Sequence, residues 1–213
     1  MFQKSFGTSG VNAIGSFQLS QLNSSSVQSK LKAAGINTNS KQYKAAVKQM
    51  MSAGNGAMYG NIQGIKNLMS HYDKDGDYIN PVNGLAGLLV TDENESSRKR
   101  IISIPDSSKE EMYELTKKEF LRENGVHNGD TTKRTDVYNN LYRKMSKKDR
   151  LAAGYTLEKY ERIYRQAFYD AAKKADPNWE IGKPIKDGAL DSVTRETAES
   201  GKSPAQATLD TKI

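Results

Sequence analysis

The sequence predicts a mainly α-helical protein, a single helical domain with a small antiparallel β-hairpin and loose termini. Two observations carry the helical body. Apolar residues recur at helical spacing in several separate stretches between residues 25 and 175, and each stretch is bounded by a capping residue, a glycine or a proline. The hairpin rests on a third, the pair of short β-branched and leucine-rich runs at 88–91 and 101–104.

Residues 1–24 are rich in Ser, Gln, Asn and Gly, with apolar residues at no sustained period, and read as a flexible N-terminal arm. The helical domain is expected over 25–199. Its first helix carries Val27, Leu31 and Ala34 on one face and stops at Gly35. Ser40 caps the second, whose apolar stripe is Tyr43, Ala46, Val47, Met50 and Met51, with Lys41, Lys44 and Lys48 opposite. A glycine-bearing link, Gly54 to Gly60, leads to a third helix with Ile62, Ile65, Leu68, Met69 and Tyr72 on one face. That link lacks the lysine and hydroxyl spacing of a nucleotide loop and reads as a helix connection.

The runs Leu88-Leu89-Val90-Thr91 and Ile101-Ile102-Ser103-Ile104 flank the polar stretch Asp92 to Arg100, which predicts a hairpin with a long exposed tip. After Pro105, Ser107 with Glu110 or Ser108 with Glu111 has the spacing of a capping box, opening a helix that runs through Met112, Leu115 and Phe120 to Asn124-Gly125. A fifth helix near 132–145 points Val137, Tyr138, Leu141 and Met145 inward. Ser146 and Asp149 precede a short turn that Gly154 is expected to end. Thr156 then opens the most regular helix, with Leu157, Tyr160, Ile163, Tyr164, Ala167, Phe168, Ala171 and Ala175 in helical register until Asp176-Pro177 stops it. Trp179 and Ile181 are expected to fold back irregularly, and 200–213 reads as a flexible tail.

Charge is distributed unevenly. Residues 1–72 contain seven lysines and no Asp or Glu, so the whole formal excess of +7 lies there and the remainder is balanced. An acid-free basic segment points to an acidic protein or an anionic surface as partner. Seven lysines without arginine over that length are too thinly spread for phosphate recognition, which argues against nucleic acid. No stretch is apolar enough to span a membrane, and the start lacks the pattern of a conventional cleaved signal peptide. A cytoplasmic location or export by another route is therefore expected. With no cysteine, disulfides, thiolate metal sites and cysteine nucleophiles are excluded.

One motif carries chemistry. Asp73-Lys74-Asp75-Gly76-Asp77 puts three carboxylates at alternate positions around a glycine directly after a helix, which is how an EF-hand-like or dockerin-like loop begins. Calcium needs several oxygen ligands at short range, and carboxylates at loop positions one, three and five converge once the chain turns between them. In this register Tyr78 offers a backbone carbonyl, Ile79 the apolar anchor, Asn80 the ninth ligand and Asn83 the closing one. The loop departs from the pattern in lacking a glycine at position six and in closing on an amide where a bidentate glutamate is usual. The expected ligand set is Asp73, Asp75, Asp77, Tyr78, Asn80 and Asn83, and the expected cofactor is calcium; the competing reading is an acidic turn.

Catalytic signatures are sparse. His71 and His127 belong to no metal-ligand spacing and read as surface or loop residues. No Gly-x-Ser-x-Gly elbow occurs. Paired carboxylates of a carbohydrate or cell-wall hydrolase would be visible only in three dimensions; Glu110, Glu119 and Glu161 are the candidates, each expected on a solvated helix face.

The segments 35–44, Asp73-Lys74-Asp75-Gly76-Asp77 through Ile79-Asn80-Pro81, Asn128-Gly129-Asp130-Thr131-Thr132-Lys133-Arg134 and Gly188-Ala189-Leu190-Asp191-Ser192 together resemble an uncharacterised bacterial family known only as a domain of unknown function. The resemblance implies a bacterial source and one unit over residues 30–195, and supplies no activity. The leading expectation is a non-enzymatic structural or interaction protein with a calcium-type loop. The alternatives are the hydrolase and a basic nucleic-acid or membrane-surface binder.

Overall fold

A computed structural model describes residues 16–53, 59–127 and 131–200. Helices dominate: α1 Ser25–Ala33, α2 Lys41–Ala53, α3 Ile62–Met69, α4 Asp106–Arg122, α5 Thr131–Lys144, α6 Arg150–Ala175 and α7 Arg195–Glu199. Two short strands, β1 Phe17–Gln18 and β2 Tyr59–Gly60, pair antiparallel with Phe17 opposite Gly60. None of the described helices is long and apolar enough to cross a membrane. The helical body is built as two compact units, Met1–Leu89 and Val90–Ile213, each with its own core.

In the first unit Phe17, Leu22, Val27, Leu31, Ile36, Tyr43 and Ile65 are buried together. Residues 16–24, expected as part of a flexible arm, are thus packed: Phe17, Leu19 and Leu22 go inside around a short 3-10 turn at 19–21, which needs no sustained helical period. The part of that arm at 1–15, the glycine link at 54–58 and the tail at 201–213 lie outside the described residues. Ser24 caps α1 by accepting from the Val27 N–H at 3.3 Å, and Ser40 caps α2 through the Tyr43 N–H at 3.1 Å. Met51, placed on the apolar stripe of α2, is exposed.

The second unit is organised by α6, which packs against α4, α5 and α7. Its interior is aromatic. Tyr113 meets Tyr164 edge-on at 5.4 Å between ring centres, and Phe168 lies 5.7 Å from Phe120, which in turn meets Trp179 at 6.1 Å. Two buried phenols in this core find partners. Tyr113 donates to the Val193 carbonyl at 2.5 Å and Tyr164 to Glu199 Oε1 at 2.6 Å. Trp179, expected to fold back, does so, donating from Nε1 to the Lys183 carbonyl.

Three expectations for this unit are corrected. The hairpin at 88–91 and 101–104 does not form: residues 92–99 are a run of turns, and Leu89, Val90 and Ile101 are exposed. Asn94 Oδ1 accepts the Thr91 N–H and the Glu95 N–H bonds the Thr91 carbonyl, so local turns take up the backbone. The Ile102 N–H goes to Thr156 Oγ1 at 3.1 Å instead of to a strand. The helix after Pro105 begins at Asp106 with no side-chain cap, so neither capping box is used, and α6 begins at Arg150 and runs through Gly154. Gly154 is needed for close approach: a Cβ there would stand 2.6 Å from the Tyr142 hydroxyl. The short α7 was not foreseen, although Thr194 and Thr197 form the reciprocal cap that opens it.

Candidate functional site

The acidic loop follows α3 in the first unit. Ser70 and His71 finish the last helical turn, and Gln42 of α2 donates to the Met69 and Tyr72 carbonyls at 3.0 and 2.8 Å, capping the helix end from outside. Asp73 then receives the Asp75 and Asp77 N–H groups on Oδ1, both at 2.9 Å. Gly76 turns the chain with φ +85°, where a side chain would be strained and would press on the Lys41 carbonyl at 3.0 Å. The Asp73 N–H bonds the Asp77 carbonyl at 2.9 Å and the Ile79 N–H bonds the His71 carbonyl at 2.8 Å, so Tyr72 and Tyr78 stand opposite each other in an antiparallel bridge.

This turn brings together one carboxylate oxygen each from Asp73, Asp75 and Asp77, all within 4.8 Å of one another. Asp73 is half-buried and the other two are exposed. Tyr78 sits beside them with its ring edge-on to Tyr72 at 5.9 Å. Burial, and then the neighbouring Tyr78, raise the Tyr72 hydroxyl above the ordinary phenol range. The two asparagines serve local turns: Asn80 Oδ1 accepts the Val82 N–H at 2.9 Å and Asn83 Oδ1 the Leu85 N–H at 3.0 Å. An amide oxygen has a second lone pair, so this bond leaves one acceptor site on Asn80. Ile79 is half-buried and pairs with buried Ala86.

A second group of carboxylates lies in the other unit. Glu119 on α4 and Glu161 on α6, read from sequence as solvated, are buried, Glu119 to 1% exposure. Arg134 of α5 joins them, its Nη2 standing 2.5 Å from Glu119 Oε2 and 3.1 Å from Glu161 Oε1. His127 is exposed, as expected, with Nε2 3.3 Å from Glu161 Oε1 and 3.2 Å from Arg134 Nη1. Arg165 completes the group, donating to the Gly125 carbonyl at 2.8 Å with its guanidinium over the Phe120 ring. Burial lowers the Arg165 pKa, and Glu161 opposes that shift. Sequence spacing could not have found this network, because its members come from three helices and a loop. Glu110, the remaining carboxylate candidate, is exposed and pairs with Arg195 Nε at 2.7 Å.

No curated protein and no solved structure matches the chain. A family described as a domain of unknown function, DUF3879, matches residues 36–213, a span that takes in the acidic loop, the buried carboxylates and all of α2 to α7. The chain belongs to the DUF3879 family.

Proposed function

We propose that the loop at 73–83 binds calcium or a similar hard cation, and that the protein is a structural or interaction module in which the ion fastens the end of α3 to the start of α2. The observation that carries this reading is the convergence of the Asp73, Asp75 and Asp77 oxygens within 4.8 Å. Three carboxylates so close repel one another, and a divalent ion between them would turn that repulsion into attraction. The loop's attachments give the ion a mechanical role, since Gln42 of α2 already bonds the Met69 and Tyr72 carbonyls beside it. The Tyr78 carbonyl, Asn80 and Asn83 are the proposed further ligands.

The hydrolase alternative draws no support from the second carboxylate group. A general acid and base must reach a substrate, whereas Glu119 is sealed from solvent and shares one guanidinium with Glu161. The basic N-terminal third fits an acidic protein or anionic surface as the partner of such a module, an attraction that added salt would weaken.

Terbium titration tests the site directly, because an ion at the loop would lie beside Tyr78 and Tyr72 and its emission would be sensitised by them. Saturable emission that calcium displaces and that Asp73→Ala and Asp75→Ala abolish is expected. Emission equal in wild type and both variants would overturn the assignment. Asn83→Glu should tighten binding if residue 83 closes the loop; an unchanged affinity removes Asn83 from the ligand set.

A further inference from the structure

Helix α2 has one side in the core of the first unit and one in solvent. Tyr43 and Ala46 are buried, with Val47 and Met50 packed against the same core. The opposite side carries Lys41, Lys44 and Lys48, all exposed. Steps of three and four residues align them on one stripe, with successive Cβ atoms about 5–6 Å apart. Among the described residues none of the three makes an ion pair.

Two features set this stripe apart from an ordinary solvated face. Cations near a helix N-terminus oppose its dipole. Yet Lys41 opens α2, no acidic residue accompanies it in the first turn, and the last turn holds no cation. The charge is therefore placed against the needs of the helix and faces outward. The second feature is the lack of acidic neighbours. The first unit has eight lysines, no arginine and three acidic residues, all three in the loop at 73–77, so α2 carries none of the i, i+4 carboxylates that usually neutralise such a row.

The residue types point to the kind of anion. Arginine's planar fork suits a fixed carboxylate or phosphate, whereas lysine is a hydrated point charge suited to a diffuse field of anions. Met51, three residues beyond Lys48 and 42% exposed, adds an apolar side chain at the end of the stripe. Lysines edged by an exposed apolar residue match a headgroup layer, which offers phosphates outside and hydrocarbon beneath.

We propose that the outer face of α2 docks on an anionic phospholipid bilayer, with Lys41, Lys44 and Lys48 among the lipid phosphates and Met51 entering the headgroup boundary. The helix lies along the surface, so the association is peripheral and salt-sensitive. This inference rests on the reading of the protein as an interaction module and names its partner. It draws nothing from ion binding at the acidic loop, so vesicle binding measured in chelator succeeds or fails apart from the ion site.

Co-sedimentation of the full-length chain with vesicles in EDTA tests it. Vesicles mixing phosphatidylglycerol with phosphatidylcholine should pellet the protein at low salt and release it at high salt, and phosphatidylcholine alone should not bind it. Replacing Lys41, Lys44 and Lys48 together by Gln, which keeps helix propensity, should lower the partition coefficient roughly 100-fold, about fivefold per lysine. The same replacement at Lys118, Lys174 and Lys186, exposed lysines of the second unit, removes equal net charge and should leave binding within about twofold of wild type. Equal losses in the two triple variants would show that net charge and not this face is read, and would overturn the proposal. So would a lack of binding to the anionic vesicles at low salt, and capture by soluble polyglutamate without vesicle binding would assign the face to an acidic protein instead.

Discussion

The two carboxylate groups of this protein solve one electrostatic problem in opposite ways. In the first unit, Asp73, Asp75 and Asp77 come from five consecutive residues and converge at the surface, held by the loop's own N–H groups. In the second, Glu119 and Glu161 come from distant helices, converge in the interior and share the guanidinium of Arg134. Charges taken out of water must carry their compensation with them, because the cost of leaving one uncompensated is several kcal/mol. Charges at the surface can draw compensation from solution. The difference separates a group that fastens the fold from one proposed to take up an ion.

Breaking the interior group should have the largest effect. Arg134→Met leaves two buried carboxylates facing each other and should destabilise the second unit by about 3–5 kcal/mol, read from urea denaturation. Glu119→Leu in the same chain should restore much of that loss, because Glu119 Oε1 and Arg134 Nε are buried without a hydrogen-bond partner among the described residues and an apolar replacement forfeits little there. If the double variant is as unstable as the single one, Arg134 acts through packing and the contrast drawn above collapses. The surface group should answer to an ion instead. Calcium at 100 times its dissociation constant should stabilise the wild type by about 2.7 kcal/mol and Asp73→Ala by nothing, measured in protein verified metal-free beforehand.

Subtler substitutions sharpen the comparison. Glu161→Gln keeps the shape but weakens the charge-assisted bond to Arg134, and a loss of about 1–3 kcal/mol in chemical denaturation is expected. Asp75→Asn in metal-free protein should change stability by less than about 0.5 kcal/mol, because the residue is exposed and its loss relieves repulsion. A large loss there would mean that the carboxylate supports the fold without any ion.

The sequence made the local features legible and hid the distant ones. Helices α1 to α6 announce themselves through apolar period, and the acidic loop through alternate aspartates around Gly76, since both are determined within a few residues. The hairpin failed because β-branched runs make a strand only where a partner edge exists, and turns centred on Asn94 consumed the backbone between 91 and 99. Gly154 was read as a stop although its role is to admit the Tyr142 hydroxyl, a contact invisible before α5 and α6 are packed. The Glu119–Arg134–Glu161 network was hidden for the same reason: each residue alone looks like a member of a solvated charged face.

The family span begins at Ile36, partway through the core of the first unit. Phe17, Leu22, Val27 and Leu31, which cover Ile36, Tyr43 and Ile65, all precede it. A recombinant fragment cut at the family boundary would therefore present a greasy face to solvent and be drawn toward self-association, just where the acidic loop is attached. For anyone producing the first unit, the usable boundary lies ahead of Phe17, and poor solubility of a shorter piece would report on the cut and not on the fold.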